Sequence, residues 1–68
     1  MKLKVDKDEC IKQFKRIYPE CPILKTDISN SGDYLIIYTE YDGYSDYFRV
    51  NEYMVSSAYT SLEEAKRD

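Results

Sequence analysis

The chain has 68 residues, 43% of them hydrophobic and 34% charged, with a formal charge of −3. That length suits one small domain spanning residues 1–68, which buries about 60% of its unfolded surface and rarely draws more than roughly 3–5 kcal/mol from its core. Two Gly, two Pro and no repeat exclude collagen-like, coiled-coil and disordered chains, and the acidic excess weighs against non-specific nucleic-acid binding, which needs a basic face.

The first element is a helix over residues 6–18. Asp6 with Glu9 three residues on fits a capping box, and Val5 and Cys10 stand at the hydrophobic-staple positions. Cys10, Ile11, Phe14, Ile17 and Tyr18 recur at the spacing of one buried stripe. Lys15 and Arg16 suit the negative end of the helix dipole, and Pro19 and Pro22 end the helix and turn the chain.

An antiparallel meander follows, and its turns set the register. Asp42-Gly43 between Tyr41 and Tyr44 is a strong hairpin signal of type I′. It pairs Tyr41 with Tyr44, Thr39 with Asp46, Ile37 with Phe48 and Leu35 with Val50. Ser31-Gly32 is a second turn, pairing Ile28 with Leu35, Thr26 with Ile37 and Leu24 with Thr39. Asn51-Glu52 is a third, pairing Val50 with Tyr53 and Phe48 with Val55. Directly opposed residues share a face. One face therefore carries Leu24, Ile28, Leu35, Ile37, Phe48, Val50, Tyr53 and Val55, the core that the first helix covers.

A short second helix starts at Thr60 or Ser61, each with a Glu three residues later, and has only Leu62 and Ala65 as apolar contacts. The expected fold class is α+β: one N-terminal helix on a four-stranded antiparallel meander with a short C-terminal helix, in the order α-β-β-β-β-α.

The eight tyrosines then divide. Tyr18, Tyr41, Tyr44, Tyr53 and Tyr59 fall on the helix stripe or the covered face. The opposite face collects Ile23, Tyr34, Ile36, Tyr38, Tyr47, Arg49 and Met54, with no predicted element over it. Tyr, Met and Arg are enriched in interface cores, and an apolar patch on a small protein marks a contact surface. Tyr34, Ile36, Tyr38, Tyr47, Arg49 and Met54 are the candidate partner-binding residues. A competing reading is structural, since cross-strand tyrosine pairs stabilise a sheet without any partner.

The functional expectation is a small protein-binding module, of inhibitor or adaptor type for a larger bacterial or phage target, or homodimeric through this face. The alternative is a single-strand nucleic-acid binder that stacks bases on the same aromatics, although Lys25 and Arg49 face Asp27 and Glu40 there.

Catalytic chemistry is not expected. With no histidine, Ser-His and Cys-His arrangements are absent, and two cysteines make no zinc set. Cys10 and Cys21 read as packing residues. Asp42-Gly43-Tyr44-Ser45-Asp46 lacks the ligand spacing of a calcium loop. Asp46 falls on the core face beside Thr39, at a sheet end left wet. No cofactor and no metal are expected. The N-terminus has no secretory h-region and no apolar run spans a membrane, so a cytoplasmic address with reduced thiols is expected.

Overall fold

The computed structural model describes residues 2–68. Helix α1 (Lys7–Ile17) leads into strands β1 (Lys25–Ile28), β2 (Leu35–Tyr41) and β3 (Tyr44–Val50), and helix α2 (Leu62–Lys66) follows. The three strands form one antiparallel sheet in the order β1-β2-β3.

Helix α1 starts where the sequence places it. The Asp6 carboxylate accepts from the backbone N–H groups of Asp8 and Glu9 at 2.9 and 3.2 Å, satisfying two donors that the first turn leaves free. The buried stripe places Cys10 and Phe14, both fully buried, against Leu35, Ile37, Phe48 and Val50 of the sheet. Phe14, Tyr18 and Phe48 form an aromatic triad with ring centroids 5.1–5.4 Å apart. Replacing Phe14 by Ala would cost about 3–5 kcal/mol, comparable to the whole stability of a domain this size.

The β2–β3 hairpin follows the expected register through all its pairs, from Leu35 opposite Val50 to Tyr41 opposite Tyr44. Asp42 and Gly43 both take positive φ, 53° and 82°, as a type I′ turn requires. Strand β1 pairs as expected at Thr26–Ile37 and Ile28–Leu35. The ladder stops at Lys25, however, where Leu24 donates to the Tyr38 carbonyl although Tyr38 is already the partner of Lys25. Leu24 is thereby turned out to 52% exposure, and Ile23 packs on the core in its place.

The Ser31-Gly32 turn is tied to the N-terminal segment. The Lys4 N–H donates to the Gly32 carbonyl at 2.8 Å, and Gly32 has φ +84°. A Cβ there would stand 2.5 Å from the Lys2 carbonyl oxygen, so only glycine fits.

The sheet has three strands rather than the expected four. After β3 the Asn51 side chain accepts from the N–H groups of Tyr53 and Met54, both at 2.8 Å, forming a local turn that competes with a two-residue hairpin. The returning chain makes only two isolated bridges, Val50–Val55 and Tyr47–Tyr59. Three residues separate the bridged positions on β3 and four separate them on the returning segment, so the ladder slips by one between them. Tyr53 is consequently 85% exposed instead of lying in the core. Tyr59 moves to the face of Tyr47 and Arg49, with the Arg49 guanidinium 4.4 Å from its ring centroid.

Candidate functional site

The second face of the sheet is partly covered, which the sequence reading did not anticipate. Ser61 caps α2 by accepting from the Glu64 N–H at 3.2 Å, the second of the two capping boxes considered. The helix then lies against β2 and β3, with Ala65 fully buried.

Arg49 holds it there. Its Nε donates to the Ala65 carbonyl at 2.8 Å, and its Nη2 donates to the carbonyls of Glu64 and Arg67 at 3.2 and 2.9 Å. The Asn30 N–H takes the remaining carbonyl, that of Lys66, at 2.8 Å. The carbonyls of residues 64–67, orphaned at the end of any helix, are all satisfied by groups from elsewhere in the chain. Beyond them the Asp68 carboxylate accepts from the N–H and the hydroxyl of Ser31. Partial burial raises the affinity of that carboxyl for its proton, but the Ser31 hydrogen bonds outweigh it and hold Asp68 below its ordinary value.

The candidate residues therefore separate. Ile36 is 1% exposed, and Arg49 spends its donors on α2. Met54 is 47% exposed on the Asn51 turn, and Tyr34 is half-buried at the start of β2. What remains open on the face is centred on Tyr38 and Tyr47. Their rings stack across the ladder at 4.7 Å between centroids, tilted by 35°. With Lys25, Thr26, Ile36 and Leu62 they line a shallow recess. The Tyr38 hydroxyl donates to Glu40 Oε2 at 2.6 Å, and this hydrogen bond to a carboxylate holds the phenol above its ordinary pKa.

The edge of the recess is β1, a sheet edge that could pair with another chain. Asp27 closes part of it, since its Oδ1 accepts from the Ile28 N–H at 2.7 Å and faces Lys66 Nζ at 3.5 Å.

Among the described residues no group of three His, Cys, Asp or Glu side chains could hold a metal ion. No helix among them is long and apolar enough to cross a membrane. Fold and surface together define a small α+β protein with an antiparallel sheet and exposed tyrosines. Comparison with protein families, with characterised proteins and with solved structures finds no match for this chain.

Proposed function

We propose that the chain is a small non-enzymatic protein-binding module whose contact surface is the open part of the tyrosine-bearing sheet face. The observation that carries this reading is the stacked Tyr38–Tyr47 pair beside Leu62. Two aromatic rings fixed by each other and by Glu40 offer contact area at little entropic cost on binding. The occupied guanidinium of Arg49 disfavours the nucleic-acid alternative, because it removes one of the two cations that face could offer to phosphates.

The test is a Tyr38→Ala, Tyr47→Ala double variant, checked by circular dichroism for an unchanged fold. The wild type should retain a partner from the native host, or sediment as a dimer, and the folded variant should lose that association. Equal association by both proteins would end the proposal. So would tight binding of short single-stranded oligonucleotides by the wild type.

A further inference from the structure

On the face that packs against α1, the β2–β3 hairpin continues beyond Ile37 and Phe48 with the pairs Thr39–Asp46 and Tyr41–Tyr44. Opposed residues share a face, so these side chains continue the line of Ile37 and Phe48, from the buried Thr39 out to the exposed Tyr41 and Tyr44. Tyr18, the residue that ends α1, packs on Phe48 at 5.1 Å between ring centroids and forms the facing wall. Between them runs a groove lined by Tyr18, Phe48, Tyr41, Tyr44, Asp42 and Asp46.

Two properties of the groove converge on one ligand chemistry. Its rim is aromatic and open, with Tyr44 71% and Tyr41 47% exposed. Its charge has a single sign: Asp42 and Asp46 line it, and Glu20 stands at its end, accepting from the Tyr41 hydroxyl at 3.1 Å. The ion pairs of the described residues, Lys4–Asp33, Lys12–Glu9, Lys66–Asp27 and Arg67–Glu63, leave all three of these carboxylates without a cation. At the floor, Thr39 is 2% exposed.

We propose that this groove receives an arginine or lysine side chain presented by a partner polypeptide. The cation lies against the tyrosine rings with Asp46 and Asp42 as its counter-charges. Ring faces attract cations, and more strongly where water is partly excluded. A half-buried carboxylate such as Asp46 gains from a charge partner that an apolar occupant cannot supply. An anionic occupant would meet three like charges. The inference does not rest on the Tyr38–Tyr47 surface, which lies on the other side of the hairpin.

The experiment titrates isotope-labelled full-length protein with the peptide Ac-Gly-Arg-Lys-Arg-Gly-NH2 at low salt, following backbone amide shifts. The same peptide with Glu at the three basic positions is the control. The basic peptide should shift amides of residues 39–48 and 18–21, and the acidic one should shift none. An Asp42→Asn, Asp46→Asn variant should bind about tenfold more weakly, as should Tyr44→Ala, a change at an exposed position that leaves the core intact. Tyr38→Ala, Tyr47→Ala should bind the peptide normally. Unchanged affinity in the Asn variant overturns the proposal. Equal shifts at the remote carboxylates Asp8, Asp33 and Glu63, or no shift at millimolar peptide, do the same. Shifts that appear on concentrating the protein alone would overturn it in favour of a second copy as the occupant.

Discussion

Arg49 Nε lies 2.8 Å from the carbonyl oxygen of Ala65, so a side chain near the end of β3 caps the end of α2. A helix of five residues is too short to persist alone, and its place on the sheet depends on such contacts. Arg49→Ala should therefore lower the unfolding free energy by about 2 kcal/mol, the scale for losing hydrogen bonds from a charged donor. Arg49→Lys should recover less than half, because an ammonium lacks the fork that reaches several carbonyls. Urea unfolding measures the loss. Hydrogen exchange locates it: amides of residues 62–67 should lose protection while those of β2 keep theirs.

Gly32 and Gly43 make a matched pair. Both have φ near +80°, so alanine at either incurs the left-handed penalty of about 1–2 kcal/mol. At Gly43 nothing lies within 4 Å of the added methyl, and the loss should stop there. At Gly32 the methyl meets the Lys2 carbonyl oxygen and must also displace the N-terminal segment, so Gly32→Ala should unfold at clearly lower urea than Gly43→Ala. Equal midpoints would mean that the Lys4–Gly32 hydrogen bond holds nothing of consequence.

The two thiols should differ in reactivity. Cys10 is fully buried with its Sγ 3.5 Å from the Val50 carbonyl; burial first, and the charge of Glu52 next, push its pKa up to about 11. Cys21 is only half-buried. A thiol-specific disulfide reagent at pH 8 should modify Cys21 rapidly and Cys10 only at the rate of unfolding. The raised value also fixes the sign of a pH effect. The folded state favours the neutral thiol, so this stabilisation is complete below the unfolded value of 9.0 and disappears as pH rises to about 11. Urea midpoints of the wild type should fall over that window more steeply than those of Cys10→Ala.

The legible parts of the fold were those where neighbours in sequence decide the conformation. The Asp6 cap, the Phe14 stripe and the positive-φ pair at Asp42-Gly43 need no distant contact, and the last of these aligned every pair of the β2–β3 ladder. Asn51 carried a readable signal that points the other way. Its side chain can close a turn on its own, and that local bond displaced the fourth strand and turned Tyr53 outward. Leu24 and Ile23 exchanged roles because a strand end next to a proline is free to slip by one residue.

For the candidate site, the sequence placed Tyr38 opposite Tyr47 and Asp46 opposite Thr39, but the sheet end it expected to be wet holds a buried Thr39 and a half-buried Asp46. It put Tyr41 and Tyr44 on the helix side without showing that the helix stops short of them, because a register assigns a face and says nothing of how far a partner element reaches.

The pairing of Tyr38 with Tyr47 and of Tyr41 with Tyr44 across a defined turn was determined by the sequence alone, since β periodicity and turn chemistry are properties of adjacent residues. Which tyrosines meet solvent was decided only by the tertiary structure. Arg49 and residues 64–67 lie 15 to 18 positions apart along the chain, and their hydrogen bonds form only once the sheet and α2 are both in place. That docking buries Ile36 and leaves Tyr38 and Tyr47 at its margin, while the length of α1 leaves Tyr41 and Tyr44 beyond its end.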